Sequence, residues 1–331
     1  MSTPALDDAG RDEILRRDIL PLYFPGQDES LEPAFTLLSG QPGAGRSRVT
    51  LNSHGESDSE VAALNSGELR AFHPAFLGPD VDATEVAQAV AGWLSGCIRH
   101  AREHHRSMVL EGSFGNVPAA VGTAERFAAE GFTTRLVVVG STRAESLLSV
   151  TSGYLRDVKA RRRSTLPRRA EHDDAFHATR RLVESVEQSG WVDRVMVVAR
   201  DGRNVFDATR TESGFAGAGA ALVTAQSARM GRLDATQWLS ELHHVTDFAA
   251  SLRSMPDGVG ELLVDLHETA LREVIPQLHI PAGGKFATAI EQKTVAALVS
   301  LRREVTPAMG PIDIAAPVVV PGSPERGGVS R

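Results

Sequence analysis

The chain has 331 residues and a formal net charge of −7, with 42% hydrophobic and 23% charged residues. These values are ordinary for a globular protein, and the negative balance argues against nucleic acid as a partner. The N-terminal segment is polar and acidic, no apolar run approaches the roughly 18–20 residues of a membrane span, and Cys97 is the single cysteine. We therefore expect a cytoplasmic protein with neither a membrane partner nor a disulfide framework.

Short apolar runs alternate with amphipathic patterns through the first part of the chain. A first helix is predicted over residues 6–20, broken by Pro21 and by the Pro-Gly-Gln sequence at 25–27. An Asp201-Gly202 turn predicts a return strand that reaches Phe206. Four apolar runs predict buried strands at Ala34–Ser39, Met108–Leu110, Leu136–Val139 and Val195–Val198. Helical patterns lie at 83–105, 117–130, 143–156 and 171–189. This alternation predicts an α/β fold with a mostly parallel sheet flanked by helices.

The sequence changes character near residue 212. The small-residue run Gly214–Ala221 is either a hinge or the start of a tightly packed helix. Beyond it, three amphipathic patterns predict helices at 234–253, 257–275 and 284–304. Proline, glycine and valine then dominate the end of the chain, where a disordered tail is predicted. The predicted divisions are an α/β domain at 1–211, a helical C-terminal region at 212–305 and a tail at 306–331.

The strongest local motif directly follows the first predicted strand. It matches the pattern G-x-x-x-x-G-[KR]-S of a phosphate-binding loop, or P-loop, and precedes a predicted helix. Its residues are Gly40, Gln41, Pro42, Gly43, Ala44, Gly45, Arg46 and Ser47. The glycines allow successive backbone N–H groups to face one phosphate chain, and the helix N-terminus adds partial positive charge. The motif predicts binding of ATP or GTP with Mg²⁺, for which the Ser47 hydroxyl is the predicted ligand.

Arg46 occupies the position that lysine holds in the usual P-loop pattern. Arginine keeps the positive charge, but its planar guanidinium is larger than an ammonium group and cannot simply replace a point charge. We expect nucleotide binding to tolerate this replacement better than catalysis does. A second basic segment, at Arg161–Arg163 and Arg168–Arg169, is either a solvated surface or a phosphate contact.

The P-loop is followed by several segments that resemble motifs of the zeta toxin family. Asn65–Pro74 is similar to the family's D-x-x-R-x-x-H-P segment, and Leu110–Ser113 is similar to its E-G-T/S motif. The resemblance continues through Val137–Tyr154, His172-Asp173 and Val192–Gly202, and it covers about residues 10–211. It implies a P-loop nucleoside triphosphate-binding fold.

Zeta toxins are kinases of bacterial toxin–antitoxin systems that phosphorylate the 3′-hydroxyl of UDP-N-acetylglucosamine with a nucleoside triphosphate. The resemblance therefore implies a phosphotransferase that uses ATP or GTP with Mg²⁺, a UDP-sugar substrate and a protein antitoxin as partner. It also implies substrate-binding roles for Arg70, His73, Glu111 and Ser113.

Several catalytic positions of the family are changed in this chain. The family's catalytic aspartate, the base for the sugar hydroxyl, falls on Gly67, and Glu68 is the adjacent carboxylate that could replace it. One phosphate-stabilising arginine falls on Gly153. A second falls around residues 164–165, and a short shift in that loop would let Arg163 take its role. The predicted catalytic residues are therefore Arg46, Glu68 and Arg163.

Three hypotheses follow from these substitutions. The chain is a zeta-toxin-like kinase, or a catalytically silent protein that retains the nucleotide or UDP-sugar pocket. In the third, it is an interaction protein whose C-terminal helices carry the function and whose P-loop domain is a scaffold. Loss of a base commonly slows a reaction by ~10²–10⁴-fold, and loss of an arginine by ~10³-fold or more, so the second hypothesis competes directly with the first.

Overall fold

A computed structural model describes most of the chain. The described residues are 6–26, 29–49, 61–76, 82–187, 189–210, 214–281 and 284–305. The tail predicted at 306–331 lies outside them. None of the helices in the described ranges has the length and apolar character needed to cross a lipid bilayer.

The described residues form a six-stranded sheet in the order β2-β3-β1-β4-β5-β6. All neighbouring strands run parallel except β5 and β6, which form an antiparallel pair. The bounds are β1 Ala34–Ser39, β2 Ala62–Asn65, β3 Met108–Gly112, β4 Thr133–Gly140, β5 Arg194–Ala199 and β6 Asn204–Thr209. The central strands are the apolar runs of the sequence because helices cover both of their faces. The predicted α/β fold with a mostly parallel sheet is confirmed.

The helices connect the strands and then continue beyond them. Their bounds are α1 Asp8–Ile14, α2 Leu20–Tyr23, α3 Ser66–Leu69, α4 Ala83–Glu103, α5 Val117–Ala129, α6 Arg143–Lys159, α7 Arg169–Glu187, α8 Ala218–Gln226, α9 Arg232–Ser251, α10 Val259–Thr269 and α11 Lys285–Val305. A π-helical turn at Leu15–Ile19 joins α1 to α2, and π and 3₁₀ turns at Ala270–Val274 and Ile275–Leu278 follow α10. Residues 46–49 form a helical turn that begins with the last two residues of the P-loop.

Pro21 does not end the first helical segment, contrary to the prediction. It lies in the first turn of α2, and the backbone N–H of Phe24 donates to the carbonyl of Leu20 at 2.9 Å. Proline is tolerated there because the N–H groups of a first turn need no intrahelical acceptor. The π-helical turn before Pro21 lets the chain continue in a helical path.

The first hydrophobic core surrounds the sheet and extends past residue 212. It contains sheet residues such as Phe35 and Leu136, and it also contains Phe215, Ala218 and Leu222. Helix α8 approaches the sheet closely, since a Cβ atom at Gly140 would lie 2.5 Å from the Cβ of Ala225. The small-residue run at 214–221 therefore begins a tightly packed helix, which is one of its two predicted interpretations.

A second core lies between α6 and the C-terminal helices. Helices α9 and α10 pack against α6, and α11 packs against α10. Leu147 and Leu155 on α6 belong to this core together with Trp238, Leu242 and Leu263. The indole N–H of Trp238 donates to the carbonyl of Ala144 at 3.0 Å. The C-terminal helices thus share a core with a helix of the P-loop domain.

Candidate nucleotide site

The P-loop leaves the carboxyl end of β1 and enters the helical turn at 46–49. Gly43 and Gly45 have φ values of +78° and +102°, the left-handed region that favours glycine. At Gly43 a side chain is also excluded by space, because a Cβ atom would lie 2.2 Å from the carbonyl oxygen of Ser146. Glycine at these positions allows the tight path that points N–H groups toward a phosphate.

Two polar side chains anchor this loop. Gln41 is fully buried, and its Nε2 donates to the Ser141 carbonyl at 2.9 Å and to the Ser146 hydroxyl at 3.2 Å. On the β5 side, Arg200 Nη1 donates to the Gly43 carbonyl at 2.6 Å. Burial lowers the pKa of Arg200. The loop is therefore held from the ends of both β4 and β5.

Arg46 extends toward the neighbouring strand. Its Nε donates to Glu111 Oε1 at 3.1 Å, and its Nη1 donates to the Gly40 carbonyl. The side chains of Arg46 and Glu111 are only 16% and 9% exposed. Asn65 Nδ2 donates to the same Glu111 oxygen at 3.2 Å, since Asn65 and Glu111 are paired in the register of β2 and β3. The structure thus brings together two predicted site residues, Arg46 and Glu111, with Asn65.

The position of the family's aspartate lies at the start of α3. The backbone N–H of Gly67 donates to Asn65 Oδ1 at 2.8 Å, so Asn65 caps the helix. Glu68 is exposed, and its Oε2 accepts a hydrogen bond from Tyr23 Oη at 3.3 Å. Burial and the neighbouring Glu68 carboxylate raise the pKa of Tyr23 to about 12. The Glu68 carboxylate therefore contacts Tyr23 of α2. The side chain that contacts the Arg46–Glu111 pair from this part of the chain is Asn65.

The remaining predicted substrate residues differ in accessibility. His73 is 4% exposed, with its ring centroid 6.2 Å from that of Trp93 and its Nδ1 accepting from the Ala75 N–H at 3.2 Å. This environment favours a structural role for His73, which shapes the turn after α3. Arg70 is half-buried, and its Nη1 donates to Thr165 Oγ1 at 3.4 Å.

Three further predicted site residues, Ser47, Ser113 and Arg163, are exposed or half-buried. Ser47, the last residue of the P-loop, is exposed in the helical turn at 46–49, and Ser113 is half-buried after β3. Arg163 is exposed, and its Nη1 donates to the Phe76 carbonyl at 3.4 Å. The basic segment at 161–169 thus contacts the chain that follows α3 through Arg163 and through the Arg70–Thr165 bond.

A cleft of 1060 Å³ opens beside the P-loop, at the carboxyl ends of β4 and β5. Gly140 and Arg200 lie at its sheet end, and α8 and α9 form a wall that includes Gln237 and Glu241. Five arginines line it, namely Arg48, Arg156, Arg200, Arg203 and Arg229. Sequence reasoning missed this cleft because its wall comes from helices that carry no recognisable motif.

A Ser-His-Asp arrangement is also present, at Ser146, His172 and Asp173. His172 Nε2 lies 3.0 Å from Ser146 Oγ, and His172 Nδ1 lies 3.3 Å from Asp173 Oδ1. Ser146 and His172 are both fully buried, so no substrate reaches this hydroxyl. Cys97 is buried as well, and burial raises the pKa of its thiol to about 12. Neither group supports nucleophilic chemistry.

The family model described as Zeta toxin matches residues 24–212. The chain belongs to the zeta toxin family. This membership confirms the resemblance seen in the sequence, and the match ends before α8, so helices α8–α11 lie beyond it. The sequence matches no curated protein.

Solved structures with similar folds include one from the PezAT chromosomal toxin–antitoxin system of Streptococcus pneumoniae. It is 17% identical with a TM-score of 0.62, and the match covers 73% of this chain and 97% of that chain. This likeness confirms the P-loop kinase-like fold. The AvrRxo1-ORF1:-ORF2 complex is 13% identical with a TM-score of 0.43, covering 82% of this chain and 80% of that chain. The same complex with ATP is 13% identical with a TM-score of 0.45, covering 77% and 85%.

Proposed function

We propose that this zeta toxin family member binds ATP or GTP at residues 40–47 and transfers the γ-phosphoryl group to a hydroxyl of a UDP-sugar such as UDP-N-acetylglucosamine. The observation that carries the proposal is the P-loop itself, with Gly43 and Gly45 at positive φ between a central parallel strand and a helical turn. This combination of glycines, strand end and helical turn is suited to a triphosphate.

The phosphate end of the site provides several groups for binding. Backbone N–H groups of the loop would contact the phosphates, and the exposed Ser47 hydroxyl would bind Mg²⁺. Mg²⁺ usually keeps waters and phosphate oxygens among its ligands, so a single protein hydroxyl is compatible with its donor set. The bound ion would neutralise charge on the β- and γ-phosphates. Arg46 would contact phosphate by exchanging its Glu111 partner for a phosphate oxygen.

The cleft beside the loop is suited to the nucleoside. It begins at Gly140 and Arg200, and Arg200 itself contacts the Gly43 carbonyl of the loop. A nucleotide with its phosphates on the loop can therefore extend its base into a space of 1060 Å³. Arginine planes such as that of Arg156 stack readily on a base.

The acceptor would lie on the opposite side of the loop, near β2 and β3. Glu111 and Asn65 offer a carboxylate and an amide for hydrogen bonds to sugar hydroxyls. Arg70 contacts Thr165 of the basic segment, and Arg163 contacts the Phe76 carbonyl in the chain that follows α3. We propose Arg70, Glu111 and Ser113 as substrate contacts, and Arg46 and Arg163 as the groups that stabilise charge during transfer. An antitoxin protein is the partner proposed from family membership.

A second candidate function is a catalytically silent nucleotide-binding protein. It is favoured by Gly67, which has no side chain, and by Glu68, whose carboxylate contacts Tyr23. A base must come within hydrogen-bond reach of the hydroxyl that it deprotonates. The loop and the cleft do not depend on such a base, so binding could persist without turnover.

The two candidates are separated by one assay. The purified protein is incubated with γ-labelled ATP or GTP, Mg²⁺ and UDP-N-acetylglucosamine, and the products are separated, with Ser47→Ala as the site variant. A labelled sugar nucleotide made by the native protein supports the kinase. Nucleotide binding without transfer supports the silent protein. A nucleotide at about 100 times its Kd stabilises a protein by ~2.7 kcal/mol, so the lack of any thermal shift at millimolar ATP and GTP would overturn both.

If turnover is absent, a repair experiment tests the assignment of the lost residues. We expect Gly67→Asp combined with Arg46→Lys to transfer more phosphate than either single variant, because both groups act on one transition state. A Cβ atom at Gly67 would lie 3.1 Å from Asn65 Oδ1, so the new side chain requires a small shift of Asn65. A folded double variant that binds nucleotide and still transfers nothing would show that position 67 does not supply the base.

A further inference from the structure

A chain of hydrogen bonds between buried and half-buried side chains joins the P-loop to the C-terminal helices. It begins with Gln41 Nε2, which donates to Ser146 Oγ at 3.2 Å, and Ser146 Oγ lies 3.0 Å from His172 Nε2. It ends at Arg143, whose Nη2 donates to Asp173 at 3.0 Å and to Asp265 at 2.6 Å. We call this chain the buried relay, and its members are Gln41, Ser146, His172, Asp173, Arg143 and Asp265.

Ser146 is the member of the relay that contacts both Gln41 of the loop and His172. With Asp173 accepting from Nδ1–H of His172, the Nε2 of that ring is an acceptor that faces the Ser146 hydroxyl, for which the Thr142 carbonyl at 2.9 Å is the other near acceptor. The oxygen of Ser146 then presents its lone pairs to Gln41 Nε2. Burial lowers the pKa of His172, which is consistent with a neutral ring in this arrangement. The Ser141 carbonyl sets the orientation of the Gln41 amide by accepting from Nε2 at 2.9 Å, and the relay adds the second contact, through Ser146, that holds Nε2 against α6.

Asp265 supplies the charge at the far end. Its side chain is only 7% exposed, and it contacts Arg143 at 2.6 Å and Arg169 at 3.5 Å. Arg143 holds Asp173 through two hydrogen bonds, of 2.7 and 3.0 Å. Without Asp265, a half-buried guanidinium loses one of its two carboxylates, and its position against Asp173 is no longer fixed from both sides.

We propose that Asp265 is a positioning residue for the P-loop and acts on it through the buried relay. Asp265 lies on α10, beyond the segment that matches the family model. Through the relay, this helical region would contribute to the phosphate site without touching it. The inference rests on the proposed function in so far as the loop binds a nucleoside triphosphate. Linkage is reciprocal, so nucleotide on the loop also favours the seating of α10 against α6.

The test uses Asp265→Asn in the full-length protein, with Glu261→Gln as the matched control. Glu261 lies one turn earlier on the same helix and is exposed. Well below the unfolding temperature, we expect Asp265→Asn to weaken ATP binding at least about fivefold, the lower end of typical coupling. Glu261→Gln should bind ATP as the native protein does.

A double-variant cycle separates positioning from simple stabilisation. Gln41→Met removes the amide at the loop end of the relay. If Asp265 acts through the relay, the combined variant binds ATP with no lower affinity than the single variant whose affinity is the lower of the two. If the two residues act independently, the two losses of affinity multiply, and the proposal is overturned.

Hydrogen exchange of the nucleotide-free protein provides a readout that does not require nucleotide. We expect faster exchange at amides 43–47 in Asp265→Asn and in Ser146→Ala, which breaks the relay while leaving the Arg143–Asp265 contact in place. Native rates in a folded Ser146→Ala protein would overturn the inference even if Asp265→Asn fails to fold. If the native protein binds no nucleotide, the proposed function fails and these rates alone decide the inference.

Discussion

Replacement of Gly43 by alanine tests whether the loop is held by sterics as well as by backbone conformation. At φ +78° an alanine is in the left-handed region, which costs roughly 1–2 kcal/mol. Its Cβ would also lie 2.2 Å from the Ser146 carbonyl oxygen and 3.0 Å from Val150 Cγ2, so the loop must move away from α6. Such overpacking typically costs a further ~1–3 kcal/mol. We expect Gly43→Ala to lower the free energy of unfolding by about 2–5 kcal/mol.

Gly45→Ala is the matched control for this prediction. Gly45 has φ +102°, but nothing lies within 4 Å of a Cβ atom placed there, so only the backbone term applies. Urea denaturation of both variants and of the native protein measures the difference. Gly43→Ala should also lose more ATP-induced stabilisation, since the displaced loop no longer presents its N–H groups correctly. If Gly43→Ala is as stable as Gly45→Ala, the close contact with α6 does not hold the loop and the reasoning is wrong.

Three further predictions concern single side chains. Glu111→Gln should increase the stabilisation that ATP gives, because Arg46 loses a competing carboxylate; an unchanged or smaller thermal shift would contradict the proposed exchange of partners. Gly153→Ala should raise the free energy of unfolding by about 0.5–1 kcal/mol, since it lies inside α6 with open space around a Cβ atom, and a loss of stability would refute this. His172→Gln should make the free energy of unfolding fall less steeply as the pH drops below about 6.5. Burial lowers the pKa of His172 in the folded protein, so on acidification the unfolded chain binds this proton before the folded protein does, and the variant lacks that effect. Urea titrations from pH 8 to 5 measure this slope, with the exposed His177→Gln as control, and an equally steep fall in His172→Gln would count against it.

The sheet could be predicted where its strands are buried on both faces. The runs at 34–39, 136–139 and 195–198 are apolar because helices cover them, and each lies within an observed strand. Strand β2 was missed because Ala62–Asn65 is a four-residue strand at the sheet edge whose side chains alternate between buried and half-buried. A short edge strand carries too little hydrophobic pattern to be distinguished from a loop.

The site was predictable only where its chemistry lies in one continuous segment. The P-loop residues are adjacent in sequence, so their spacing identifies the loop. The Arg46–Glu111 pair and the buried relay join residues far apart in the chain, and nothing in the local sequence signals these contacts. His73 matched a family motif, yet its burial against Trp93 became visible only from the packing of α4.

The packing of α8 has a consequence for experiments on fragments. A protein cut at residue 212, where the family match ends, would lack Phe215, Ala218 and Leu222 from the sheet core. Each large apolar side chain contributes roughly 1.5–3 kcal/mol when buried, and the matching surface on β4 and β5 would be left in water. Such a fragment should aggregate or fold poorly, and its inactivity would say nothing about the full-length protein. A minimal fragment must extend at least through Gln226, and one that retains the second core must extend through Val305.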